Sequence, residues 1–187
     1  MSLLNVQNFL ARLYTDENLR CDFLSASERI GRENNLTEKE IVELAAIFPE
    51  ELKLFADSLL WKRLREVEKL LPLTRNILGK DFERFFRQFA SRSTPASIKK
   101  HLEDAIAFAD FLHTEEVEPF WVRDAAKFER AKLEFNNFGR RFVYEIFDCD
   151  IKEFIRQNAS APAGEIRKKK TLAIWIRFGS KTRNFVW

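Results

Sequence analysis

TLAIWIRFGSKTRNFVW, residues 171 to 187, reads as two apolar and aromatic runs around Gly179-Ser180. Gly-Ser suits a two-residue type II′ or I′ turn, so the segment is predicted to be a β-hairpin. That loop sets Ile174 opposite Phe185 and Leu172 opposite Trp187. One face then carries Leu172, Ile174, Ile176, Phe178, Phe185 and Trp187. Such a face is expected to be covered by helices or by a partner, and an open sheet edge is a place to dock a peptide strand.

Working backwards from the hairpin, the basic run Arg167, Lys168, Lys169 and Lys170 precedes it, and ASAPAGE precedes that as the most loop-like stretch of the chain. Asp150 is expected to cap a short helix, IKEFIRQ. In RRFVYEIFD the period is two, with Phe142, Tyr144 and Ile146 alternating against Val143, Glu145 and Phe147. This predicts a third strand, the minimum for a stable small sheet. A long helix from Pro119 with Trp121, Ala125, Phe128, Leu133 and Phe135 inward, and Gly139 as its stop, is expected to pack across it.

The first 115 residues read as a helical bundle. Helices are expected from about Leu3 to Tyr14, after Thr15 or Asp16, and from Thr37, which forms a capping-box pair with Glu40. A loop is expected near Gly31 to Leu36. Pro49 suits the first helical position, and Pro72 ends that helix. A short turn around Leu73 to Leu78, a helix from Asp81 and a helix opened by Thr94-Pro95 complete the bundle. The predicted fold class is therefore mainly α: a helical bundle over 1–115, then an α+β unit over 116–187 with a terminal antiparallel hairpin.

Composition narrows the function classes. Nineteen Phe and four Trp can fill an aromatic core, while five Gly and five Pro argue for long regular elements. No apolar run approaches the roughly 20 residues of a membrane span, and the N-terminus acquires charge too early for a secretory signal. The expected location is the cytoplasm. The net charge of +3 is uneven: Trp121 to Trp187 holds 15 Lys/Arg against 8 Asp/Glu, the first 120 residues 17 against 21. A basic C-terminal third suits an acidic peptide or a nucleic acid.

Catalytic chemistry finds few candidates. There is no phosphate-cradling loop, GxSxG, CxxC or HExxH. His101 and Asp104 share a metal-compatible i, i+3 spacing, but no second such motif completes a site, and a solvated polar face explains them. Cys149 lies between Asp148 and Asp150, which raise a thiol's pKa, so it reads as a packed residue. No catalytic residue, metal or cofactor is assigned, and the chain is expected not to be an enzyme. The run WKRLREVEKLLP, Trp61 to Pro72, has the bases of a recognition helix, although an exposed face laced with ion pairs explains it too.

Four stretches carry a resemblance: FLARLYTDENLRCDFL (9–24), HLEDAIAFADFL (101–112), PFWVRDAAKFERAKLEF (119–135) and AIWIRFGSKTR (173–183). Together they resemble the helical-plus-sheet partner subunits, methanobactin-type among them, of TIM-barrel iron-dependent peptide-modifying oxidases. Members are often labelled DNA-binding. Ala125-Ala126 and Phe128 depart from that family's Leu-rich version. The N-terminal half also looks like bacterial and cyanobacterial helical domains of no described role. The resemblance implies recognition without chemistry: the sheet captures a precursor peptide's leader as an added strand, and the helical part holds the enzyme.

On that reading Trp175, Arg177, Arg183, Asn184 and Phe185 are the expected partner-binding residues at an exposed edge or face. Arg167, Lys168, Lys169 and Lys170 are the candidate polyanion-binding residues. The competing explanations are a hairpin buried wholly on the Pro119 helix, and lysines that protect a strand edge. The leading expectation is a partner protein that binds a peptide or protein; the alternative is a nucleic-acid-binding regulator.

Overall fold

The computed structural model describes residues 3–93, 100–158, 166–179 and 181–187. The fold is mainly α, with ten helices among the described residues and one three-stranded antiparallel sheet near the C-terminus. The chain packs as two compact units, Met1–Arg63 with Ala90–Thr94 and Leu64–Phe89 with Pro95–Trp187. The boundary expected near residue 115 falls inside the second unit.

The first unit is built from α1 (Leu3–Thr15), α2 (Glu17–Ser25), α3 (Ser27–Glu33), α4 (Glu38–Ala45) and the start of α5 (Pro49–Leu70). Asp16 caps α2 by accepting from the Leu19 N–H, and the Thr37/Glu40 capping box opens α4. Phe9, Leu13, Phe23, Ile30, Leu36, Ile41 and Leu44 form its core. The loop predicted from Gly31 starts later, because α3 runs to Glu33. Residue 31 is glycine for a steric reason: a Cβ there would collide with the Ile41 side chain. The residue thus marks a close helix contact, which reads like a loop signal in sequence.

In the second unit, Leu71 leaves the helical region ahead of Pro72 (φ −122°, ψ 55°), where the proline ring disfavours helical backbone, and α5 stops at Leu70. Pro72 then opens α6 (Pro72–Leu78), where a turn was expected; Pro at the first helical position starts a helix as readily as it stops one. Next come α7 (Asp81–Ala90), α8 (Lys100–Thr114) and α9 (Trp121–Asn137). Phe82, Phe86, Phe89 and Phe108 form an edge-to-face and tilted ring cluster with centroids 5.1 to 5.7 Å apart. The Thr94-Pro95 cap and the ASAPAGE loop fall on residues outside those described.

The sheet has order β1 (Phe142–Cys149), β2 (Lys168–Phe178), β3 (Lys181–Val186). The hairpin register is as expected: Ile174 pairs with Phe185, and Leu172 exchanges both backbone bonds with Trp187. Gly179 has φ 60°, positive as both expected turn types require at their first central position; Ser180 lies outside the described residues. Strand β1 pairs with β2, so β2 is central and β3 is an edge. Helices α9 and α10 (Ile151–Asn158) cover one sheet face, burying Val143, Phe147, Cys149, Ala173 and Trp175 with Ala125, Phe128, Ala131 and Phe154.

A bulge between Phe147 and Cys149 interrupts β1. It leaves the Asp148 and Cys149 N–H groups without a strand partner, and Asp124 Oδ2 from α9 accepts both at 2.8 Å. Thr171 Oγ1 donates to the Cys149 carbonyl at 2.8 Å. Burial, then the neighbouring Asp124, pushes the Cys149 thiol far above its ordinary pKa. That is the packed thiol expected, although Asp124 rather than Asp148 leads among its acidic neighbours.

Candidate functional site

Of the two expected covers for the Leu172–Phe178 face, helices or a partner, the helices lie on the other side of the sheet. Trp175, Ala173 and Thr171 point into the helices, so Leu172, Ile174, Ile176 and Phe178 point away from them. Register adds the other strands: Phe142 beside Ile176 and Arg183, Tyr144 beside Ile174 and Phe185, Ile146 beside Leu172 and Trp187. Phe142, Tyr144, Ile146, Phe178, Phe185 and Trp187 are 38% to 66% exposed. Phe185 and Trp187 stack with centroids 5.6 Å apart.

The β3 edge is the second feature. Because Leu172 and Trp187 form a hydrogen-bonded pair, the alternation of an antiparallel ladder turns Trp187, Phe185, Arg183 and Lys181 towards β2. The backbone groups of Thr182, Asn184 and Val186 therefore face outward, where no fourth strand pairs among the described residues. A groove of about 720 Å³ runs beside this edge on the helix side. Thr182, Arg183 and Asn184 form its β3 wall, Trp175 and Phe128 its floor, and Leu73, Leu133 and Ile155 its far side.

Glu129 of α9 lines the same groove and is 5% exposed. Its carboxylate accepts from the Leu73 N–H (2.7 Å), the Thr74 N–H (2.9 Å) and Thr74 Oγ1 (2.7 Å). These are orphan donors at the start of α6, whose N-cap Leu71 offers no side-chain acceptor. Burial lifts the Glu129 pKa to about 7, against the pull of those bonds.

Of the five residues expected at an exposed edge or face, the structure moves two. Trp175 is 5% exposed with its ring 5.5 Å from Phe128, so it is reachable only as groove floor. Arg177 folds back over the Phe135 ring at 5.0 Å and donates to the Phe135 carbonyl at 2.8 Å. Their even spacing from Ala173 puts them on the helix side. Arg183, Asn184 and Phe185 are exposed on β3. Trp175, Arg183 and Asn184 meet at the groove; Arg177 and Phe185 stand apart from it.

The basic run divides as well. Lys168 lies over the Phe120 ring at 5.1 Å, and Lys169 pairs with Asp150 at 2.9 Å. Lys168, Lys169 and Lys170 line a cleft of about 480 Å³ with His113, Arg123 and Asp124. Arg167 is exposed. Among the described residues no group of His, Cys, Asp and Glu could hold a metal ion, and no helix is long and apolar enough to cross a membrane.

Sequence reasoning missed Phe142, Tyr144 and Ile146 as members of the open face, although their period of two was visible. It also missed Glu129, Leu73 and Ile155, which only tertiary packing brings to the groove. Residues 47–114 match the family model described as SCO6045-like, C-terminal domain. That stretch is about a third of the chain, from the start of α5 to the end of α8, and includes no part of the sheet. No curated protein matches the chain.

Proposed function

We propose that this chain is a non-enzymatic, cytoplasmic partner protein that binds an extended peptide, or an extended segment of a protein, as an added strand beside β3. The observation that carries this reading is the groove along the outward-facing edge of Thr182 to Val186. An added strand takes its main-chain bonds from the edge and drops alternate side chains to one side, which gives affinity and specificity separate sources. Apolar side chains suit the Trp175, Phe128 and Leu133 lining, and an acidic residue suits Lys132. Strand capture is also the role that the resemblance to peptide-modifying partner subunits implies.

The test is selection of displayed peptides on the full chain, followed by titration of the winners. Thr182→Pro removes one outward N–H and leaves every β2–β3 bond in place, since proline is tolerated on an edge. It is expected to weaken peptide binding about tenfold. Equal affinity for wild type, Thr182→Pro and Asn184→Pro would reject strand addition. Deletion of the hairpin is a poorer test, because it strips Ala173 and Trp175 from the core.

Nucleic-acid binding is the second reading, favoured by the convergence of Lys168, Lys170, Arg123 and His113 on one cleft. Affinity for an oligonucleotide that falls steeply with salt, and flattens in Lys168→Ala/Lys170→Ala, would support it.

A further inference from the structure

The open face of the sheet is a different surface from the β3 edge and carries its own inference. Phe142, Tyr144, Phe178, Phe185 and Trp187 are 38% to 66% exposed on it, with Ile146 at 53%. With roughly 150–250 Å² for each aromatic side chain, those fractions leave about 400–700 Å² on the five rings, and Ile146 adds on the order of 100 Å². Monomers rarely expose a contiguous patch beyond about 300–600 Å². A standard stable interface takes roughly 600–1,000 Å² from each partner, and this face reaches the lower part of that range.

We propose that the open face packs against the same face of a second copy of this chain, forming a two-fold sandwich of two three-stranded sheets. The occupant follows from the chemistry of the face. Its cross-strand rows, Phe142–Ile176–Arg183 and Tyr144–Ile174–Phe185, are apolar except for Arg183. Lys181, opposite Phe178, is a second charge on this face; both cations lie on β3, and the rest of the face is complementary to another flat apolar sheet face. The chain provides such a face in matching area. Aligned sheets pack about 10 Å apart, with side chains from both inner faces interdigitating. An isologous contact closes after two copies. With the two-fold parallel to the strands, β3 of one copy lies over β1 of the other. Arg183 then meets the Phe142 and Tyr144 rings, a cation–π arrangement that retains its charge without an acidic partner. The β3 edge stays free in this dimer, so peptide capture and self-association coexist.

The experiment is sedimentation equilibrium of the full chain over a wide concentration range. Wild type is expected at twice the 22.1 kDa chain mass. Thr182→Pro, an edge variant, is expected to remain dimeric. Tyr144→Lys/Phe185→Lys is expected at single-chain mass with an unchanged circular dichroism spectrum, and Phe142→Ser/Tyr144→Ser is the milder pair should the first not fold. Arg183→Ala is expected to weaken association about fivefold. Wild type at single-chain mass throughout overturns the proposal and leaves the face to an unlike partner. A dimer that survives the face substitutions, or that Thr182→Pro dissociates, also overturns it, the latter by showing edge-to-edge pairing. Peptide binding by Thr182→Pro is read separately, so either proposal can fail alone.

Discussion

The two faces of the sheet are both apolar, yet they do opposite jobs. The covered face uses Val143, Phe147, Ala173 and Trp175 under α9 and α10; the open face uses Phe142, Tyr144, Ile146, Ile174, Phe185 and Trp187. The open face is the richer in large side chains. A sheet face is buried in its own fold when a helix can approach it closely, and that depends on small residues. Ala173 meets Ala125 and Ala131 of α9 in one core, and all three are at most 1% exposed. A row of Phe, Tyr and Trp would hold a helix further off. Hydrophobic content alone therefore does not say which face a fold covers.

The largest expected effect tests that contrast directly. Phe147→Ala on the covered face should cost about 3–5 kcal/mol by loss of burial and creation of a cavity. Phe142→Ala, at concentrations too low for association, should cost less than about 1 kcal/mol. Urea denaturation of both variants gives the comparison, and equal losses would mean the two faces are equally buried.

A second effect is a pH dependence confined to the covered side. Glu129 has its pKa raised from 4.5 to about 7 by burial. Between those values the folded state holds a proton that the unfolded chain has released. Stability is thus full below about pH 4.5 and falls as the pH rises towards 7, by on the order of 3 kcal/mol. Glu129→Gln should remove that slope. Denaturation midpoints at several pH values decide it, and a slope unchanged by the substitution would assign it elsewhere.

The smallest of the three concerns the bulge that ends the covered part of β1. Asp124→Ala strands the Asp148 and Cys149 N–H groups and should cost roughly 2 kcal/mol, whereas Asp124→Asn keeps an acceptor and costs less. Amide exchange at Asp148 and Cys149 should quicken in the alanine variant. Unaltered exchange would show that those amides find another acceptor.

Much of the local structure was legible in sequence because its causes are local. Thr37 with Glu40 announced a helix start, and Pro49 announced another. Gly31 and Pro72 misled for one shared reason. Each residue type has two common uses, and the choice between them is made by a neighbour: Ile41 against Gly31, and Glu129 supplying acceptors to the start of α6. The exposure of Arg183, Asn184 and Phe185 was legible from the hairpin alone. Trp175 and Arg177 were misplaced because their exposure depends on α9.

The sequence by itself determined the hairpin, its register and the membership of its two faces, since a two-residue turn and a period of two leave little freedom. It also determined that most of the chain is helical. Only the tertiary structure decided which face the helices take, that β2 is central and β3 the edge, and that a groove with a buried carboxyl runs beside that edge. These outcomes rest on close packing between elements far apart in the chain. Alternation along a strand records which residues share a face, but not what comes to lie on it.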